Sequence, residues 1–297
     1  MNNDLMEKYV LQVAETQSLT RAAQKLGISQ PALTQALNGI EKRLGYSLFN
    51  RRSNPVTLTR EGEVYLDYLR SRTVLQKEYE KRISDVRAAR NLSLVVGAPE
   101  VYAGTVVTDA LARFSAEHPE CDVKIRIGTL PALERMAARQ EVDCFISTSS
   151  DISSDFERVE IQKEQICLCI PTSWELGSTF CIDQPEQLNG RSCILLEPTQ
   201  PLYRAAVAFF REHDIHVKKS ITVDQVALSV KLAAKGVGMT FASREALQYC
   251  GESDRLCPYE LSSDLFRRPV YACYDRTRYV SEACRRFMDI LIHAHTG

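Results

Sequence analysis

Leu5, Tyr9 and Val13, with Val10 and Ala14 beside them, recur at i, i+4 and i+8, a spacing that predicts an amphipathic helix ending near Gln17. Ser18 or Thr20 can cap a second, short helix, in which Ala22 and Ala23 offer the small surface that lets another helix cross closely. Gly27 suits the left-handed residue after a helix end, so Gly27-Ile28-Ser29 reads as a tight turn. Ser29 is placed to cap a third helix with Pro31 in its first turn, where a missing N–H costs nothing. Leu33, Leu37, Ile40 and Leu44 form the apolar stripe of that helix, and two helices joined by such a turn make a helix-turn-helix. Tyr46 to Thr59 alternates short apolar runs around Asn54-Pro55 and predicts a small hairpin wing with Arg51 and Arg52 at its tip. Thr59 can cap a long helix running to about Arg87, with a seam of Tyr65, Tyr68, Leu75, Tyr79, Ile83 and Val86 at near-heptad spacing, interrupted by Arg72 and Arg82. So narrow a seam on so long a helix is better explained by packing against a second copy than by burial in one globule.

From Leu92 the pattern changes to short apolar strands: Leu92 to Val96, Val123 to Ile127, Val142 to Ile146, Ile166 to Ile170, Cys193 to Leu196, Ile221 to Val223, Val237 to Phe241 and Val270 to Cys273. Helical patterns fit between them at Val107 to Glu117, Ala132 to Gln140, Tyr203 to Glu212, Val226 to Ala234 and Val280 to His293, with Asp224 and Ser243 as possible caps. Alternation of this kind means α/β, and 297 residues are too many for one ordinary core.

Charge adds a second asymmetry. Residues 1 to 91 hold 15 Lys and Arg against 10 Asp and Glu, whereas the remainder holds 22 against 28, so a basic head precedes an acidic body. The head therefore suits a polyanionic partner. With 44% hydrophobic and 25% charged residues the composition is that of a globular protein, and no stretch approaches the roughly 18 uninterrupted apolar residues of a membrane helix. No secretory leader pattern opens the chain, so a cytoplasmic location without membrane contact is expected. Of ten cysteines, Cys144, Cys167, Cys169 and Cys193 lie in apolar runs and read as small buried hydrophobes, and no Cys-x-x-Cys pair suggests a metal. The nucleophile elbow, the Walker loop and the His-Glu-x-x-His motif are missing, and Gly236-x-Gly238 follows a helix and precedes a strand, the wrong order for a dinucleotide site. Neither catalysis, nor a metal, nor a cofactor is expected.

The outward face of the third helix carries Gln30, Thr34, Gln35 and Asn38 in place of the Glu and Lys of a solvated surface. Gln and Asn can bond adenine N6 and N7 bidentately, and Thr can pack on a thymine methyl. Arg51 and Arg52 suit phosphates or the minor groove. The expected DNA-binding set is Ser29, Gln30, Pro31, Thr34, Gln35, Asn38, Arg51 and Arg52.

Ala22-Ala23, Leu26, Ser29 through Thr34, Ile40-Glu41, Leu44-Gly45, Leu48-Phe49-Asn50-Arg51 and Leu58-Thr59-x-x-Gly62 together resemble the LysR-type transcriptional regulators. Gln35-Ala36 and Asn38 stand where many members carry basic residues, so an operator sequence does not transfer. The resemblance implies an α+β multidomain chain with a winged helix-turn-helix (1–58), a long linker helix for dimerisation (59–90) and a C-terminal α/β two-lobed effector domain of periplasmic-binding-protein type (91–297). Lobe I would be about 91–167 with 268–297, and lobe II about 168–267.

It implies a sequence-specific regulator of transcription that binds an inverted-repeat operator in double-stranded DNA as a dimer or tetramer, works with RNA polymerase, and answers to a small-molecule effector between the lobes. Open α/β sheets bind ligands at strand carboxyl ends and helix N-termini. Pro99, Glu100, Thr129, Ser147, Thr148, Thr199, Gln200 and Phe241 are therefore the expected effector contacts, with Glu100 arguing against a purely anionic effector. Peroxide-sensing members use a cysteine in the loop that here reads Glu197 to Tyr203 and has none. The reading from a different class is a plain solute-binding or enzymatic α/β protein with an appended helical domain, which the basic head and the Gln30, Gln35, Arg51 and Arg52 set speak against.

Overall fold

The computed structural model describes residues 3–86, 92–149, 151–181 and 183–294. The chain divides into two compact units, residues 1–80 and 81–297. The expected linker end near Arg87 and the junction at 90 to 91 lie outside the described residues.

In the first unit, α1 (Asn3–Thr16), α2 (Leu19–Leu26) and α3 (Gln30–Leu44) pack around Met6, Val10, Val13, Ala22, Ala23, Leu33, Leu37 and Ile40. Leu5, expected on the buried stripe of α1, is exposed; Met6, one position on, turns inward instead. Ser18 caps α2 by accepting from Arg21 N, and Ser29 caps α3 by accepting from Ala32 N. Gly27 closes α2 at φ +68°, in the left-handed region, with its N–H returned to the last turn of the helix. β1 (Phe49–Asn50) and β2 (Thr57–Leu58) form the antiparallel wing. Thr59 Oγ1 accepts from Gly62 N at 2.9 Å and starts α4 (Arg60–Val86). A Cβ on Gly62 would stand 2.0 Å from the Leu48 carbonyl oxygen, which is why only glycine fits where the wing passes under α4. Along α4, Tyr68, Leu75, Tyr79 and Val86 are each more than half exposed, while Leu66, Leu69 and Val74 are buried.

The second unit begins inside α4, and Lys81 and Asp85 anchor that turn. Lys81 pairs with Asp143, and Asp85 accepts from Tyr279 Oη at 2.7 Å and Glu282 N at 3.0 Å. β3 (Ser93–Ala98) leads into a helical run formed by α5 (Glu100–Tyr102), a π turn (Ala103–Val107) and α6 (Thr108–Glu117). β4 (Asp122–Ile127), α7 (Leu130–Ala138), β5 (Cys144–Ser147) and the long β6 (Phe156–Pro171) follow. After α8 (Leu176–Thr179) come β7 (Ser192–Leu196), α9 (Pro201–Glu212), β8 (Lys219–Val223), α10 (Val226–Ala234), β9 (Thr240–Ser243) and α11 (Arg244–Cys250). β10 (Leu256–Glu260), β11 (Arg267–Asp275) and α12 (Glu282–Ala294) complete it.

These strands make two lobes. In lobe I, β3 lies parallel to β4 and β5, and β11 runs antiparallel to β5 and to the first part of β6. The last part of β6 crosses into lobe II, where it pairs with β9 and β10, while β7 and β8 form a parallel pair beside them. β6 starts ten residues before the apolar run that predicts it, because its charged first half is covered on one side only and alternates buried with open positions. Each lobe has its own core: Leu94, Val96, Phe114, Ile146 and Phe287 in lobe I, and Leu168, Ile170, Phe209, Phe241 and Phe266 in lobe II. Ser243 caps α11 as expected, but the N-cap of α10 is Gln225, not Asp224, and its side chain makes no capping bond.

Candidate functional site

On α3 the buried residues Leu33, Leu37 and Ile40 leave the opposite face outward. Ser29, Gln30, Pro31, Gln35 and Asn38 are exposed there and Thr34 is half-buried, so the expected face exists as one contiguous patch. Two of its members already have partners: Gln30 Oε1 accepts from Thr20 Oγ1 at 3.0 Å, and Asn38 Oδ1 accepts from Arg51 Nη1 at 2.6 Å.

Arg51 is half-buried and folds back to pair with Glu41, so it does not stand at the wing tip as expected; Arg52 does remain exposed. Glu41 is the pin of this region, because its Oε1 also accepts from Leu48 N at 2.7 Å and Phe49 N at 3.3 Å. One carboxylate thereby ties α3 to the first strand of the wing, and charge-assisted bonds of this kind are the strong ones.

Between the lobes lies a cavity of about 360 Å³. Its wall is made by the carboxyl ends of the parallel strands: Pro99 and Glu100 after β3, Thr129 after β4, Ser147 and Thr148 at β5, Thr199 and Gln200 after β7. The cavity brings together seven of the eight expected contacts, drawn from positions a hundred residues apart. Phe241 lies elsewhere. It sits inside β9 opposite Leu168, 3% exposed, with its ring stacked on Phe266 at 5.6 Å. Its strand begins and ends later than its hydrophobic pattern suggests, which places Phe241 inside the strand and not at its carboxyl end.

The cavity also holds residues that sequence reasoning missed. Asp224 and Gln225 follow β8 and obey the same strand-end rule, which would have found them had it been applied to that strand. Glu134 lies one turn into α7 from Thr129, a helical spacing that was legible. Arg204 stands in the first turns of α9, and Asp151 beyond the β5 loop.

No sequence signal marks Arg268, which enters the cavity from β11 directly opposite Glu164 of β6. Arg268 pairs with Glu164 and donates to Tyr102 Oη at 3.0 Å, and Tyr102 donates to Glu164 Oε1 at 2.5 Å. Burial works to lower the Arg268 pKa, but the Glu164 charge and the Tyr102 hydroxyl outweigh it and raise it. Burial also pushes the Tyr102 hydroxyl well above its ordinary range, despite the nearby guanidinium. The triad is thus a fixed, net-neutral polar cluster that joins Tyr102 of α5 to the paired strands β6 and β11, where the chain passes between the lobes.

All ten cysteines are free, and Cys144, Cys167, Cys169 and Cys193 are buried. Burial pushes the Cys167 thiol up to about 11 and raises Cys169 and Cys193 further, the direction opposite to a reactive thiolate. Among the described residues no group of three His, Cys, Asp or Glu is placed to hold a metal.

A helix-turn-helix with a polar outward face, followed by a two-lobed α/β cleft, defines the class of ligand-binding transcription regulators. Residues 7–63 match the family described as bacterial regulatory helix-turn-helix protein, lysR family, and residues 88–295 match the LysR substrate binding domain. The chain belongs to the LysR family of transcriptional regulators and carries its DNA-binding and substrate-binding domains.

An "Uncharacterized HTH-type transcriptional regulator YcgK" of Bacillus subtilis (strain 168) is 25% identical over 98% of this chain and 94% of that one. A "Probable RuBisCO transcriptional regulator" of Trieres chinensis is 26% identical over 60% of this chain, an alignment that spans 57% of that relative's length. Full-length CbnR complexed with its target DNA shares the fold, with a TM-score of 0.70 at 17% identity over 99% of this chain and 100% of that one.

Proposed function

We propose that α3 reads base edges in the major groove through Gln30, Thr34, Gln35 and Asn38, that Ser29 and Pro31 set its first turn against the DNA, and that Arg52 contacts the phosphate backbone. Arg51 acts in this reading by holding Asn38 and the wing through Glu41. The observation that carries it is the outward placement of Gln30, Thr34, Gln35 and Asn38 on α3 opposite its buried stripe. The exposed seam of Tyr68, Leu75, Tyr79 and Val86 supports a second copy on α4, so that two heads read an inverted repeat. The cleft takes a small molecule, and a ligand that binds one lobe arrangement better than another shifts the balance between them. Work in the cytoplasm and a functional contact with RNA polymerase complete the proposal; among the described residues no helix is long and apolar enough to cross a membrane.

The test is a selection of random duplex DNA on the purified protein at about 0.15 M salt, where surface charge is screened as in the cell. An enriched inverted repeat is the expected result. Retention without enrichment would leave only phosphate binding, and no retention would overturn the assignment of the α3 face.

A further inference from the structure

The charges lining the cleft point in two directions at once. Five carboxylates face it: Glu100, Glu134 and Asp151 from lobe I, Glu197 and Asp224 from lobe II. Of the two guanidiniums, Arg268 is committed to Glu164, which leaves Arg204 on the lobe II wall, with no ion pair among the described residues. An anion alone would meet a wall of like charge. Yet α7, α9 and α10 all begin at this cavity, at Thr129, Gln200 and Gln225, and none of these N-cap side chains accepts from its helix. Gln200 instead donates through Nε2 to the Asp224 carbonyl at 2.9 Å. Three helix starts whose first turns no N-cap side chain caps favour a negative group on the ligand and disfavour a positive one beside them. A purely cationic ligand would leave those donors and Arg204 unused.

We infer that the effector is a zwitterion of amino-acid type, its carboxylate held by Arg204 and the start of α9 on lobe II and its ammonium held by Glu100 and Glu134 on lobe I. This rests on the cleft being the effector site and names the chemistry of its occupant. Each charged end then meets its complement on a different lobe, so binding draws the two walls together. A volume of about 360 Å³ suits one amino acid or a short peptide. Glu134 adds independent support: burial, with the Asp151 charge next, raises its pKa, and an adjacent ammonium removes that cost.

The experiment is thermal-shift screening of the full-length protein, followed by calorimetry. The probes are the twenty L-amino acids, together with matched hydroxy acids lacking the amine, matched amines lacking the carboxylate, and neutral sugars and nucleosides. Expected is saturable binding of at least one amino acid, with both matched counterparts weaker by about tenfold or more, the loss of one charge-assisted contact. Glu134→Gln and Arg204→Gln should each weaken that amino acid while the unliganded proteins still fold and retain operator DNA.

If a hydroxy acid, an amine or a sugar binds and no amino acid does, and Thr129→Trp blocks it, the zwitterion assignment falls and the cleft reading stands. If nothing in any class binds, or binding ignores Thr129→Trp, both fall together.

Discussion

The α3 face and the interlobe cleft are both binding surfaces, but they are assembled differently. Every side chain on the α3 face comes from one helix and the turn before it, within ten residues. The cleft draws on the ends of β3, β4, β5, β7 and β8 and on Arg268 from β11, so its residues meet only after the sheets of both lobes have formed. A surface built on one element is held by that element's caps and stripe. A surface built from many is held by the strands that cross between the lobes, and its weak points lie far from it in sequence.

The largest expected effect tests that distant dependence. Glu164→Ala leaves Arg268 buried without its carboxylate and should cost about 3 to 5 kcal/mol in denaturant unfolding of the second unit. Glu164→Leu combined with Arg268→Met should recover most of it. If the single change is silent, the crossing strands do not hold the cleft as described.

In the head the corresponding weak point is local. Gly62→Ala places a Cβ at 2.0 Å from the Leu48 carbonyl and should cost about 3 kcal/mol or more, abolishing DNA retention while ligand binding by the lobes persists. Gln35→Ala should lose about 1 to 3 kcal/mol of discrimination at one base pair. Arg52→Ala should weaken all sequences alike and lower the salt slope by about one, so a repeat of the selection at two salt concentrations separates the two roles. Ser29→Ala removes the α3 cap and should cost about 1 kcal/mol, read from the unfolding midpoint.

The smallest effect lies in the cleft. Burial, with the Asp151 charge next, raises the Glu134 pKa while Arg135 lowers it, so folding favours the protonated carboxyl, and stability falls as pH rises from the ordinary carboxylate range through the raised value. Glu134→Gln should therefore melt slightly higher than the native chain at neutral pH and show no gain below about pH 4, where the carboxyl is protonated in both states. A gain that persists at low pH would mean that the change acts through packing.

Much of the head was legible because its determinants are local. Ser18, Gly27, Ser29 and Thr59 cap or end helices within three residues of themselves, and Leu33, Leu37 and Ile40 mark a face by spacing alone. What escaped there was pairing across elements: Arg51 looks free on a turn, and only the fold brings Glu41 beneath it. In the lobes the alternation of strands and helices and most of the cleft's strand-end residues could be read, since a chain leaving a parallel strand has to turn at the carboxyl edge.

The sequence by itself determined the helix-turn-helix, the wing, the long α4 and the α/β character of the rest, all of which rest on spacing and on caps that act over one turn. Only the tertiary structure decided that Phe241 belongs to a core, that Arg268, Glu164 and Tyr102 form one cluster, and that five carboxylates and three helix starts share one cavity. Those facts depend on strand register and on contacts between residues as much as 166 positions apart, as with Arg268 and Tyr102, and no local pattern records such contacts.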